Sequence, residues 1–481
     1  MGTTIFPPPR RLLDAVVVGA GPAGIFAALR AARSGGWVLV IDCGPDLNRR
    51  AEAGRQGRAR ESMITSGFGG AGLFSDGKLC LSPRIGSTIS NRFPAEQVAG
   101  RHRRIDAIIR GGQAVPLDGA DAGPTALVAA AADAAGLEYL HYPVRHVGGD
   151  RLPHMLARLR RRLAVSARVA CDTRCQEVVP ASAGGFDVTL EGRLTGRVRG
   201  RNVVLAPGKV GAGWLAEAGT RLGLAREAPA TKLGLRLEGP REYLRPLARA
   251  AADPKLIWHA DHGAEVRTHC VCFGGDVVAA RYGDLMLAGG DAAAERGSDR
   301  SNCALLAAPG GVLPVTPPLA RDLVRRINDS CGGRVMAQRL SDFMTGAPTR
   351  APVAEVAEGF SPSLPDAAPG DFTTAFPAPV VGLLRAFVVR LAALCPAALC
   401  PGNVMYGPAV ERWAYRFTVT DEMEAPSCPG LFLAGDGPGL TGGIIGAADS
   451  GWLAGDAVAA RQVWARRREP RSHPVHDREG R

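Results

Sequence analysis

The sequence predicts an α/β protein: a parallel-sheet domain assembled from both ends of the chain, with an α+β unit inserted between its halves. Three observations predict it. Apolar runs and an Ala- and Leu-rich helix alternate over residues 15–41 around the turn Gly19-Ala20-Gly21-Pro22-Ala23-Gly24. A short apolar strand, Leu431–Ala434, returns near the far end and runs into a glycine-rich turn and a helix from about Ile444. Between about 228 and 424 the character changes to mixed strands and long Pro-rich connections, densest at 346–380.

Each element follows from its pattern. Ala15–Val18 is a continuous apolar run, as a strand buried on both faces requires. Ile25–Ser34 reads as a helix stopped by Gly35-Gly36, and Trp37–Ile41 as the second strand. A helical excursion at about 90–150 follows, then a helix at Leu152–Leu163 with Leu and Met at helical spacing and Arg opposite. Runs at 165–180, 186–198 and 202–206 read as strands. The resulting division is 11–227 and 425–465 for the sheet domain, 228–424 for the inserted unit, and a charged, disordered tail at 466–481.

Composition narrows the function classes. The formal charge of +12 invites a nucleic-acid reading, but the basic residues are almost all Arg scattered along the chain, with lysine only at 78, 209, 232 and 255. No basic stripe forms, so no nucleic-acid partner is expected. The apolar stretch from Val380 to Cys400 is interrupted by Arg385 and Arg390 and reads as a buried or lid helix, so no membrane span is expected either. Eleven cysteines in 481 residues, none in a C-x-x-C pair, point to a reducing cytosol, no disulfide scaffold and no metal site.

The chemistry begins at Gly19-x-Gly21-x-x-Gly24. The first glycine permits a tight turn, the second lets a pyrophosphate approach the backbone, and the third lets helix and strand pack closely. The helix N-terminus offers unpaired amides to phosphate. Asp42 stands 18 residues beyond Gly24, where a carboxylate accepts from a ribose. The spacing alone is weak evidence, because Gly67-x-Gly69-x-x-Gly72 and Gly437-x-Gly439-x-x-Gly442 share it without the strand and acidic context. The far end decides between cofactors. Leu431-Phe432-Leu433-Ala434-Gly435-Asp436-Gly437 resembles the C-terminal motif of glutathione-reductase-type flavoproteins, which implies that Asp436 binds the ribityl chain of FAD and that the next helix faces the flavin. Asn202–Gly208 resembles a further strand end of those proteins, and Thr173–Val178 is where they pass the adenine.

Longer motifs narrow the resemblance. Gly69-Gly70-Ala71-Gly72-Leu73-Phe74-Ser75-Asp76-Gly77-Lys78-Leu79 is similar to the G-G-A-G-x-F-S-D-G-K-L signature of a bacterial FAD-utilising dehydrogenase family. His146–Asp150, Arg267–Gly275, Ser301–Leu306 and Gly435–Gly443 resemble further motifs of that family. The matches run from about 14 to 455. Gly442 departs from the pattern, standing where the family carries Arg, which implies a less anionic substrate.

The resemblance implies a glutathione-reductase-like Rossmann FAD domain. Expected FAD contacts are Gly19, Gly21, Pro22, Ala23 and Gly24 in the first turn, with Asp42 and Arg50 after the second strand. Gly69, Gly70, Cys175 and Gly208 follow, and Gly435, Asp436, Gly442, Gly443 and Ile444 complete the set. Lys78, Asp76, Arg267 and Cys270 are the catalytic candidates: Lys78 to polarise substrate or flavin or else as a structural ion pair, Asp76 as acid/base or turn cap, Arg267 for a substrate anion. Lys209, Tyr406 and Arg416 are secondary pocket candidates. Cys270 and Cys272 would share a strand face with their Cα atoms about 6–7 Å apart, which disfavours an easy disulfide. The expected reaction is hydride transfer between a small organic substrate and flavin N5, with NAD(P)H docking only transiently, since no second complete fingerprint exists. Two rivals stay open: a flavin monooxygenase, and a protein using FAD structurally.

Overall fold

Two uninterrupted apolar runs set the first layer. They form β1 (Leu13–Val18) and β2 (Val38–Ile41), joined through α1 (Pro22–Ala31), and the strand residues other than Asp14 are buried. The computed structural model describes residues 12–468 apart from 56–60, 76, 119–121, 150, 292–296 and 412. After β2 the chain makes an excursion through β3 (Lys78–Cys80), α2 (Ala95–Arg110), α3 (Ala122–Ala134), β4 (Glu138–Leu140), β5 (Val144–His146) and α4 (Leu152–Ala164). It returns as β6 (Ala167–Ala170), β7 (Thr173–Pro180), β8 (Phe186–Gly192) and β9 (Gly196–Leu205).

These strands form a sheet in the order β6-β2-β1-β9, all parallel, with Leu431–Leu433 added in parallel on the far side of β9. β9 is used twice: its C-terminal half lies between β1 and Leu431–Leu433, while its N-terminal half pairs antiparallel with β8, which pairs with β7. The result is a parallel sheet with an antiparallel meander.

The second unit contains β10 (Arg226–Glu227), β11 (Lys232–Pro240), β12 (Lys255–His259), β13 (Glu265–Cys272), β14 (Asp276–Tyr282), β15 (Leu285–Asp291) and β16 (Arg300–Ala308). It continues with β17 (Met336–Arg339), β18 (Ala368–Pro369), α5 (Ala378–Leu394), β19 (Val404–Glu411) and β20 (Arg416–Phe417). Eight strands make its sheet, β18-β17-β19-β11-β16-β13-β12-β4, antiparallel except for β17·β18. Alternation divides its faces. Leu233, Leu235 and Leu237 of β11 bury themselves against Leu384, Phe387 and Leu391 of α5. The Val380–Cys400 stretch is therefore the core helix of this unit. No helix among the described residues is long and apolar enough to cross a membrane.

Two boundaries differ from the sequence reading. β4, inside the excursion at 90–150, is the edge strand of the second sheet, paired with β12, because Tyr139 and Leu140 find apolar neighbours there. The chain then closes with β21 (Leu431–Leu433) and α6 (Gly443–Arg468), so the helix runs through 466–468; the rest of the expected tail lies outside the described residues. α6 packs on α1 almost backbone to backbone. A Cβ on Gly451 would lie 2.0 Å from Ala23 O, and one on Gly455 2.4 Å from Ala27 O. Arg101 of α2 pairs bidentately with the fully buried Asp449 of α6, at 2.6 and 3.2 Å.

Candidate functional site

The packing of α1 on α6 brings two helix N-termini together. α1 begins at Pro22 after Gly21, which is extended and makes no side-chain cap, so its first amides are open to an acceptor. α6 begins at Gly443, and Ile444 lines an apolar cleft with Pro22, Gly69 and Gly72. Glycines keep this region narrow. Gly19 has φ +105, and a Cβ there would lie 2.0 Å from Ala206 O; a Cβ on Gly24 would lie 1.8 Å from Gly19 O. Those two are glycine for the fold. Gly21 is different: a Cβ would meet only Gly70 Cα, at 3.8 Å. Gly435 (φ +84) brings its backbone against Ala23, and Gly208 and Gly443 face open space.

Above the first turn lies the 63–70 segment, held from both sides. Asp42 accepts from Ala20 N–H (2.8 Å), Gly44 N–H (2.9 Å) and Gly67 N–H (2.8 Å). Arg50, fully buried, donates to the carbonyls of Met63, Ile64, Gly67, Phe68 and Gly70 at 2.7–3.4 Å. Burial lowers its pKa to about 10, still charged at neutral pH. The expectation that Arg50 contacts the cofactor is corrected: its guanidinium is taken up by this loop, which it presses onto the glycine turn (Gly69 N–H to Ala20 O, 2.9 Å). Cys175 turns its side chain the other way. Its side chain is buried in the core with the thiol on Glu177 O at 3.6 Å, although Thr173 N–H does bond Asp42 O and brings the start of β7 to the end of β2.

The far turn carries Asp436, which accepts from Thr441 Oγ1 at 3.1 Å. Burial raises its pKa, partly offset by Lys209. Lys209 itself is half-buried; burial opposes its charge, but Asp436, then Tyr282, Glu411 and Cys270, outweigh it and hold its pKa above the ordinary value. Lys209 thus stands between the first sheet and the second. The face of the second sheet turned away from α5 is polar: Glu265, Arg267 and His269 on β13, Lys232, Arg236 and Glu238 on β11, and Glu411 on β19, around a small apolar floor of Ala304, Leu306 and Ala409. His269 Nδ1 is buried without a hydrogen-bond partner among the described residues, and burial pushes the ring down to about 3, so it is neutral near pH 7.

The catalytic candidates resolve differently. Asp76 lies outside the described residues. Lys78 is buried, but its Nζ is turned to Asp253 Oδ1 (3.5 Å) and to the carbonyl of Val271, the ion-pair alternative of the sequence reading. Asp253 also receives Lys255 Nζ (2.7 Å), Tyr142 OH (2.6 Å) and Val271 N–H (3.1 Å). Burial opposes its charge, but Lys255 and Lys78 hold the carboxyl below the usual range. Arg267 is paired with Glu411, Nη2 to Oε1 at 2.6 Å, so its charge is already compensated. Cys270 has φ +51, at a register shift between His269 and Cys272 in the β13·β16 pairing. The bulge there brings the Cys270 and Cys272 sulfurs to 3.9 Å. Tyr406 is fully buried and lies in register with Arg236 on the polar face, while Arg416 pairs with Glu227 at the surface.

The motif segments meet. Val147 N–H bonds Gly77 O (3.0 Å), Lys78 pairs in register with His146, and Gly149 lies against Asp291. Sequence reasoning placed His269 in a strand beside Cys270 without a role, and missed Glu411, Arg236 and the Asp253–Lys255–Tyr142 cluster. Period-two alternation on β11, β13 and β19 could have placed Arg236, His269 and Glu411 each on the face turned from the core.

No family model matches the chain. An uncharacterised protein of Clostridium beijerinckii is 25% identical over 469 residues, covering 91% of this chain and 79% of the relative. Solved structures with a related outline include a flavoprotein/dehydrogenase from Cytophaga hutchinsonii (12% identity, 94% and 78% coverage, TM-score 0.41) and glycine oxidase from Geobacillus kaustophilus (14%, 93% and 95%, TM-score 0.39). A third is PqsL, a probable FAD-dependent monooxygenase from Pseudomonas aeruginosa (12%, 95% and 88%, TM-score 0.40). At these TM-scores the likeness carries no functional weight.

Proposed function

We propose that this chain is an FAD-dependent oxidoreductase acting on a small organic substrate held on the polar face of the second sheet. The observation that carries the reading is the convergence of the α1 and α6 N-termini beside Asp436, opposite that face. The residues present fit the cofactor. Glycine at 21, 70 and 435 keeps side chains out of the cradle, where a Cβ on Gly70 would come within 3.0 Å of Gly21 Cα. Asp42 has three amide partners and about four lone-pair positions, leaving one for a ribose hydroxyl. The first amides of α1 would take the pyrophosphate, and Asp436 the ribityl hydroxyls.

When bound, the flavin supplies a two-electron acceptor or donor for hydride transfer. Lys209 supplies a fixed positive charge beside Asp436. His269 offers a neutral ring nitrogen for a substrate hydroxyl or amine proton, and the Arg267–Glu411 pair frames the floor while remaining internally neutral. NAD(P)H as a transient reductant, no nucleic-acid or membrane partner, and a cytoplasmic setting belong to the same proposal.

The test is direct. Flavin released by denaturing the purified protein should be FAD at about one per chain. Gly21→Ala should fold normally, because only Gly70 Cα lies near, yet lose FAD affinity by at least tenfold; unchanged affinity overturns the assignment. Anaerobic turnover with an artificial acceptor separates a dehydrogenase from a monooxygenase, which needs oxygen and yields an oxygenated product. Bound FAD that no reductant or substrate bleaches would mark the structural rival.

A further inference from the structure

We propose that Cys270 and Cys272 form a two-electron dithiol/disulfide couple that exchanges with small disulfides from the polar sheet face. In a regular strand the two side chains would run parallel and stay apart. Here Cys270 adopts a left-handed conformation, φ +51, which a non-glycine residue keeps only where the surroundings impose it. The surroundings impose it from three directions. Val271 N–H donates to Asp253 Oδ1 at 3.1 Å, Lys78 Nζ donates to Val271 O, and Arg236 Nη1 donates to Cys270 O at 3.2 Å. The sulfurs consequently lie 3.9 Å apart, within reach of an S–S bond of about 2.05 Å after side-chain rotation.

The electrostatics divide the roles. Cys270 is partly exposed and Cys272 is buried. Arg236 is a buried guanidinium that makes no carboxylate pair among the described residues, its Nε has no hydrogen-bond partner, and its Nη1 lies 3.9 Å from Cys272 Sγ. A fixed cation beside a thiol favours the thiolate and makes it a better leaving group. Cys270 is thus the sulfur that meets the small molecule, and Cys272 the one that resolves.

The chemistry balances. Cys270 thiolate attacks one sulfur of R–S–S–R, forming a mixed disulfide and releasing one thiolate. Cys272 thiolate then attacks Cys270 Sγ, forming the intramolecular bond and releasing the second. The two thiol protons leave with the released thiolates, so two protein thiols and one R–S–S–R give one protein disulfide and two R–SH. In the reverse direction a small thiol attacks Cys270, and Cys272 departs under Arg236. None of this requires the flavin assignment.

The experiment equilibrates the full-length protein in glutathione buffers of graded oxidised-to-reduced ratio, quenches in acid, and alkylates under denaturing conditions before peptide mass mapping. Both alkylation sites on the peptide carrying 270 and 272 should disappear together in one reversible transition, with the other nine cysteines still labelled. Cys272→Ser should stop at the mixed disulfide, with one glutathione on Cys270. Cys270→Ser should take no glutathione at Cys272. Arg236→Met should slow reduction of the disulfide by at least tenfold, and a circular dichroism spectrum matching wild type guards against misfolding. The proposal fails if both thiols stay alkylatable at every ratio. It also fails if either pairs instead with another cysteine such as Cys303.

Discussion

Replacing Arg50 by Met removes every side-chain donor that holds the 63–70 segment from below. Five carbonyls lose their partner, those of Met63, Ile64, Gly67, Phe68 and Gly70. A hydrogen bond from a charged donor contributes about 1.5–3 kcal/mol net. The Gly67 contact is long, at 3.4 Å, and outer carbonyls can turn to water, so we expect a local loss of about 3–5 kcal/mol rather than the full sum. At about 1.4 kcal/mol per decade this raises segment opening roughly 100- to 3,000-fold. Amide hydrogen exchange at Phe68–Gly70 reads that opening directly. Arg50→Lys, with three donors on a point charge, should recover part of the protection. An exchange rate within tenfold of wild type in Arg50→Met would refute the reasoning. Loss of FAD with loop protection intact would return Arg50 to the cofactor contact that the sequence suggested.

The other expectations concern burial and charge. His269 takes a proton near 6.5 when unfolded and only near 3 when folded, so below pH 6.5 the unfolded state binds more protons and stability falls by up to about 1.4 kcal/mol per unit. His269→Gln should flatten that acid limb in urea unfolding, and an identical limb would count against the buried neutral ring. Asp253 is depressed, so its stabilisation is complete above the ordinary carboxylate range and lost only as pH falls through its lower folded value. Asp253→Asn should therefore cost about 3–5 kcal/mol at neutral pH and converge with wild type in strong acid. Gly451→Ala places a Cβ 2.0 Å from Ala23 O and should lower the thermal midpoint by several degrees, measured by circular dichroism. Gly442→Arg meets only Gly86 Cα, at 3.9 Å from its Cβ, so it should fold and raise the midpoint potential of bound flavin, as read by dye titration.

The parallel sheet was legible because its strands, β1, β2 and β21, are short apolar runs bounded by glycine, and burial on both faces leaves one reading of such runs. The convergence of the chain ends was legible for the same reason. What escaped was cross-strand. Glu411 reaches Arg267 from 144 residues away, and Asp253 meets Lys78 across 175, distances at which no local pattern signals a partner. Arg50 shows the converse: beside Arg49 in a polar segment, it carries no sign in its neighbours that five carbonyls will surround it.

Cys270 shows why strand spacing misleads when the strand is not regular. Period-two geometry spaces alternate Cα atoms by about 7 Å with parallel side chains, and one residue in the left-handed region turns those side chains toward each other. Such a residue persists only where something outside the strand holds it. Here the holders are Lys78, Asp253 and Arg236, which belong to other segments of the chain, so Lys78 of the one motif meets Val271 of the other. Lys78 donates to Val271 O and Asp253, the ion-pair alternative of the sequence reading. Its substitution by Met should then relax the bulge, and the expected sign is specific: disulfide formation between 270 and 272 slows while thiol alkylation of Cys270 is retained. Loss of flavin with the couple unaltered would place Lys78 at the cofactor after all.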